Sequence, residues 1–336
     1  MKRWSQRPEG SNWGDFGEDD QLGSLNHIGP AEVRAAVAEV REGRRFCLSL
    51  PLDYPGGQVL APHRKPPVLR PTTRHGSPYF NYGFRNEWPS FCDFGCDDEV
   101  TLSTQYSTQW DGLAHIGCEF DADGDSIAER CYYNGYRAEI HVLAPHDRDA
   151  GYTMPLGIDT FAARPVQGRG VLVDLAAHFG HDETLIGMAA LERVLRADSV
   201  EIRRGDILCL HTGFADKILR MNRSPDPERV HRMCAALDGN DAALLEWISA
   251  SGIAAIAADN YAVERIEVPP RPGATKLVPL HHHCLFKRGM PLGELWHLSE
   301  LATWLRGHGR HHFLLTAPPL RLPGAIGSPV TPVATV

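Results

Sequence analysis

No run of 18 apolar residues occurs anywhere in the 336-residue chain, so no segment reads as a membrane span. The start, MKRWSQRPEGSNWGDFGEDD, has two basic residues but lacks the apolar stretch of a secretory leader behind them. Basic charge is in short supply too. The chain sets 34 Lys and Arg against 42 Asp and Glu, a net charge of −8, and has no Lys/Arg block. That balance argues against nucleic acid or an anionic membrane as the main partner, because both need a basic footprint. The expected compartment is the cytoplasm and the expected partner a small molecule. The eight cysteines include one close pair, Cys92 and Cys96 in FCDFGC, with no second pair at zinc-site spacing, so free thiols are expected. No internal repeat or Ser/Gly-rich linker divides the sequence, which predicts one domain.

Several catalytic signatures are also missing. The sequence contains no G-x-x-x-x-G-K-[ST] loop, no G-x-S-x-G elbow and no H-E-x-x-H pair. GRGVLV at 168–173 has its glycines before an apolar run instead of after it, and lacks the third glycine of a dinucleotide loop. Phosphoryl transfer from a P-loop, serine hydrolysis and nicotinamide-dependent hydride transfer therefore lose their usual marks.

What the chain does have is an alternation of short apolar runs with amphipathic ones. GVLVDL (170–175), DILCLHTG (206–213) and IAAIAADN (253–260) read as buried strands. PAEVRAAVAEV (30–40), DETLIGMAALERVL (182–195), NDAALLEWISAS (240–251) and GELWHLSELATWLRGHG (293–309) read as helices, with Pro, Asp or Asn at several starts and Gly near several ends. HHFLLTAPPL then reads as another strand. This order predicts an α/β domain on a mixed sheet with flanking helices. Residues 54–98, dense in Pro, Gly and aromatics, read as a long ordered loop or flap. Tyr79 to Trp88 within it would either cover a site or pack on themselves.

The candidate chemistry lies in TLSTQYSTQWDGLAHIG (101–117). Read as a strand, it puts Gln105, Ser107, Gln109 and Asp111 on one face and Tyr106, Thr108 and Trp110 on the other. Gly112 permits a bend that would bring His115 back toward Asp111. A carboxylate and an imidazole at a strand end can form a site, or be a solvated edge and a packed histidine. His281, His282 and His283 form the densest of the clusters among 17 histidines.

Here the sequence resembles a known family. QYSTQWDGLAH aligns without gaps on the H-x-G-T-H-x-D-x-P-x-H signature of the cyclase family, the kynurenine formamidase-like and isatin hydrolase-like metal-dependent hydrolases. NWGDFGEDDQLGSLN, RRGDILCLHTG, ADNYAVE, PLHHHCLFKRGMPLGELW and PPLRLPGAIGSPVTPVA resemble its longer bacterial and fungal branch, and the extent of the resemblance implies a domain over residues 12–333 behind an N-terminal tail of residues 1–11. The resemblance implies a swivelling β/β/α domain, often a homodimer, with a divalent metal site that hydrolyses amide or lactam bonds in a small, aromatic or cyclic substrate. It implies Asp111 as a ligand and His115 as the catalytic acid/base. Counting back twelve residues from Glu294, as the family's C-terminal His–Glu spacing suggests, it implies His282 and Glu294 as further ligands.

One departure stands out. Both signature ligand histidines are glutamines here, Gln105 and Gln109. An amide oxygen is a neutral, hard ligand, poorer than imidazole for zinc. The expectation is thus one divalent ion (Mn²⁺, Zn²⁺ or Mg²⁺) on Asp111, His282 and Glu294 with help from Gln109 or Gln105, or no ion at all. Without one, the same cluster with His115 would serve a cyclase, dehydratase or isomerase, or survive as a binding pocket. Tyr133, Asn134 and Trp110 are candidate substrate contacts, although Asn134-Gly135 is a turn signal in its own right.

Overall fold

The apolar runs fold as the centre of a nine-stranded sheet. The computed structural model describes residues 3–336, and the sheet contains β1 (Arg45–Cys47), β2 (Gln109–Asp111), β3 (Gln167–Asp174), β4 (Ile207–His211), β5 (Ala255–Ala258), β6 (Leu292–Glu294), β7 (His312–Thr316), β8 (Gly327–Pro329) and β9 (Val333–Thr335). Their order is β1-β9-β7-β3-β4-β5-β6-β2-β8. The middle four, β3 to β6, run parallel, and antiparallel strands extend the sheet on both sides. The parallel strands are buried along nearly their whole length, which is why they read as continuous aliphatic runs without alternation. Arg169, buried within β3, is held by a bidentate pair to Asp206 with both contacts at 2.8 Å.

Helix α1 (Pro30–Val37) has Pro in its first turn and Glu32 reaching back to the Gly29 N–H, and it lies against β3 and β7. Helices α2 (Met188–Ala197) and α3 (Ala242–Ser251) pack on each other. Asp241 caps α3 by accepting from the N–H groups of Ala243 and Leu244, and Gly252 ends it at φ 68°. Helix α4 (Ser299–Gly307) precedes β7.

Two of the predicted helices start later than expected. Residues 184–186 pair with 235–237 as a short parallel ladder before α2 begins. Leu292–Glu294 form β6, which is already paired with β2 before α4 begins. Both changes have the same physical source: a neighbouring strand offers the backbone a ladder that local helical periodicity does not register.

Residues 54–98 contain small two-stranded ribbons, with 68–71 on 98–101, 73–74 on 77–78 and 82–83 on 94–95. The Tyr79–Trp88 aromatics pack within this excursion, where the Arg74 guanidinium lies over the rings of Tyr79, Tyr82 and Phe84 and pairs with Glu87. Residues 3–11, read from sequence as part of a tail, lie on the body: Ser5 N–H donates to the Ala122 carbonyl at 2.7 Å and Trp4 packs on Trp13. Among the described residues all eight cysteines are free thiols, and no helix is long and apolar enough to cross a membrane.

Candidate functional site

The strand expected over 101–111 is interrupted: residues 98–101 belong to the excursion, 104–107 turn, and only Gln109–Asp111 enter the main sheet. The polar convergence survives by another route. Gln109 and Asp111 share a face of β2, two residues apart, and Glu294 sits directly opposite Gln109 on β6. The turn folds Gln105 back so that its Nε2 donates to Asp111 Oδ1 at 2.8 Å and contacts His115 Nδ1 at 2.8 Å. Gln109 Nε2 bridges Asp111 Oδ1 and Glu294 Oε2, each at 3.1 Å. Ser107, on the same expected face, turns away to the Pro51 carbonyl.

His115 arrives by a tight turn in which its N–H donates to the Gly112 carbonyl at 3.0 Å. A Cβ on Gly112 would lie 2.5 Å from the Ile326 carbonyl oxygen, so this close approach requires glycine. His115 Nε2 then stands 3.9 Å from Asp111 Oδ1.

The C-terminal histidine in the cluster is His281, and this corrects the expectation of His282. His281 Nε2 lies 3.2 Å from Glu294 Oε1, and its Nδ1 lies 2.7 Å from Glu264 Oε1. Glu264 also accepts the backbone N–H groups of Leu280 and His281, each at 2.9 Å. His282 faces away, its ring 5.0 Å from that of Phe286, and His283 reaches Ser249 Oγ at 2.8 Å. Consecutive helical residues point about 100° apart, so three histidines at the entry to the π-helical turn His282–Lys287 face three directions. Burial, with Lys276 and Lys287 nearby, holds His282 neutral with its pKa down at about 3.

The expected substrate contacts are placed elsewhere. Trp110 is fully buried on the opposite face of β2, against Trp296 and with Nε1 donating to Ala317 O. Tyr133 is buried with its hydroxyl on Asp20. Asn134 adopts φ 56° and its amide nitrogen donates to the carbonyls of Gly17, Glu18 and Asp20, clamping the N-terminal loop. The Asn-Gly turn signal accounts for this segment.

Asp111, His281 and Glu294 each offer a ligand atom, all within 4.8 Å of one another. Burial raises the Asp111 pKa, a push that His115 opposes. Burial dominates at His115 and lowers its pKa, so the ring is neutral around pH 7. His281 moves the other way: burial works against the cation, but Glu264 and Glu294 outweigh it and raise its pKa. Two buried acceptors, Asp111 Oδ2 and Gln109 Oε1, have no hydrogen-bond partner among the described residues. Orphaned buried oxygens next to two carboxylates and an imidazole already oriented by a glutamate suit one divalent cation. Gln109 can serve it by turning its amide, since either end of the group can face the centre.

The cluster opens onto a cavity of about 380 Å³. His115, His281, Glu294 and Arg64 form its polar end, and Val59, Leu60, Tyr106, Ile116, Tyr261 and Leu277 are among its apolar walls. Sequence reading did not place Arg64, Glu264 or His281 in the site, although His281 belongs to the histidine cluster it noted. Glu264 lies in ADNYAVE, a segment singled out for its resemblance to the family's longer branch and not for a ligand role. Arg64 lies in the flap, where no local pattern marks it.

Comparison with known proteins bears on the fold and the family. The Cyclase family model matches residues 48–265. The chain is similar to a crystal structure described as a novel cyclase, at 30% identity and TM-score 0.77, covering 97% of each chain. It shares its fold with isatin hydrolase A from Labrenzia aggregata bound to benzyl benzoate, at 13% identity and TM-score 0.55, covering 87% of this chain and 93% of that one. An isatin hydrolase bound to the product analogue thioisatinate gives 13% identity and TM-score 0.55, with 92% and 99% covered. A search of curated proteins finds no match to the chain. Over well more than half its length, and with a site built on the signature segment, this chain belongs to the cyclase family.

Proposed function

We propose that the protein is a hydrolase that uses one divalent metal ion to open an amide, lactam or lactone bond in a small, largely apolar substrate. The observation that carries this reading is the convergence of Asp111, His281 and Glu294 beside His115 at the polar end of an apolar cavity. The isatin hydrolases that share the fold act on a bicyclic lactam, a substrate shape in keeping with these walls. Asp111, His281 and Glu294, with Gln109 turned inward, would hold the ion, and a bound ion would supply Lewis acidity and an acidified water.

The residues' own work centres on His115. Its Nδ1 takes a hydrogen bond from Gln105, so the neutral ring carries its proton on Nε2. On taking up a second proton the ring becomes a donor at both nitrogens, and Asp111 stands close enough to favour that cation. With its amide rotated, Gln105 instead accepts from Nδ1–H, in the neutral ring as in the charged one, and Nε2 is then the free nitrogen that acts as the base. His115 can thus accept a proton from water and return it to the leaving nitrogen or oxygen. The apolar walls orient the substrate body and exclude bulk water.

The test uses untagged protein loaded with Mn²⁺ or Zn²⁺ and offered isatin, N-formylkynurenine and simple lactones. The expected result is hydrolysis that a chelator abolishes and added metal restores. Conversion that proceeds in chelator without consuming water would overturn the reading and point to a metal-independent cyclase or lyase acting through His115.

A further inference from the structure

Among the described residues, Arg64 is the only Arg or Lys that lines the cavity beside the cluster. It enters from the flap, on the segment of residues 55–64 that forms one wall. Its Nη1 donates to the Gln105 backbone carbonyl at 2.8 Å and lies 3.8 Å from Glu294 Oε2. These two contacts fix the plane of the guanidinium beside the cluster. No partner for Nε or Nη2 occurs among the described residues, and the side chain, which lines the cavity, is 21% exposed.

A guanidinium carries five N–H donors in a rigid fork that matches a planar carboxylate. Here one edge is tethered and the rest is unused, at the polar end of a cavity whose walls are otherwise mostly apolar. The neighbouring acids do not neutralise it fully: among the described residues Glu294 is its only ion-pair partner, at a long distance, and is shared with His281. Arg169, by contrast, is committed to a carboxylate of the protein itself through its bidentate pair to Asp206.

We propose that Arg64 recognises a carboxylate on the substrate, so that the protein acts on hydrophobic acids: molecules with an apolar, ring-sized body and an acid group within a few atoms of the bond to be opened. This rests on the reading of the cavity as the substrate site. The carboxylate lies along the free edge of the guanidinium while the body fills the Val59, Leu60 and Tyr261 side. The scissile carbonyl then faces His115 and the acidic cluster. Anchoring by a charged fork at one end and apolar walls at the other orients the substrate, and neutral molecules of the same shape lose the anchor.

The experiment titrates the full chain with two fluorescent probes of equal shape, 2-aminobenzoate and 2-aminobenzamide, with Mn²⁺ present and bound metal counted in the same samples. The wild type is expected to prefer the carboxylate. Arg64→Met is expected to cut that preference by roughly tenfold or more, the scale of hydrogen bonds to a charged group, with bound Mn²⁺ unchanged. Arg64→Lys, which keeps the charge but not the fork, is expected to fall between them. A wild type with no preference, an Arg64→Met variant that keeps it, or equal weakening of both probes would overturn the proposal, the last by marking Arg64 as a structural tether. Absence of bound Mn²⁺ in every sample would count against the metal-dependent reading alone, because the probe ratio still decides the role of Arg64.

Discussion

Glu264 Oε1 lies 2.7 Å from His281 Nδ1 while Glu294 Oε1 lies 3.2 Å from Nε2, so one imidazole joins two buried carboxylates. The Glu264 contact fixes the ring and leaves Nε2 as the atom that faces the cluster. Carboxylates in this position typically tune metal affinity without touching the ion. Glu264→Gln is therefore expected to weaken Mn²⁺ binding by about 10–100-fold while leaving one site per chain. Calorimetric titration measures both quantities.

His115 offers a second handle, because it touches Asp111 and Gln105 but is not needed to complete the ligand set. His115→Ala is expected to lower kcat by about 10²–10⁴-fold, the usual contribution of a positioned acid/base, with metal content unchanged. Steady-state kinetics on any hydrolysed lactam or formamide, beside elemental analysis, separates the two effects.

Asn134 tests the division between site and scaffold. Its amide serves three backbone carbonyls and accepts from Gly14 N–H, and neither it nor these partners line the cavity. Asn134→Ala is expected to lower stability by roughly 1–3 kcal/mol, the cost of leaving buried polar partners unmatched, with KM unaltered. Urea unfolding and kinetics on the same preparation check it.

The pH dependence of stability has a readable sign at His27. Burial, aided by Arg204 and Arg288, lowers its pKa from 6.5 to about 4 in the folded chain. Between these values the unfolded state binds the proton and the folded state does not, so this residue's contribution is intact above pH 6.5 and declines as the pH falls toward about 4. Urea midpoints measured across that window are expected to fall less steeply in His27→Gln than in the wild type.

Much of this was legible in the sequence where pattern and chemistry coincide. The parallel strands are aliphatic because they are buried on both faces, and α3 shows its Asp cap and Gly stop directly. Asp111, His115 and Glu294 were found from a signature and a spacing. His282 was not separable from His281 by counting, since the chain between the histidines and Glu294 passes from a helical turn through a π-helical turn into a strand. A one-residue difference there rotates the side chain by about 100°. Gln105 joins the cluster through a turn, although a continuous strand was expected, so these residues meet by a different route from the one expected. Glu264 and Arg64 reach the site only through tertiary folding, from a loop after β5 and from the flap, and nothing local marks either.

The account turns on which histidine completes the cluster. The most direct measurement is the Mn²⁺ stoichiometry of untagged wild type, His281→Gln and His282→Gln, with thermal stability recorded for each. The account predicts one equivalent in the wild type, its loss in His281→Gln and its retention in His282→Gln. One equivalent kept in His281→Gln, or lost only in His282→Gln from a folded protein, would contradict it.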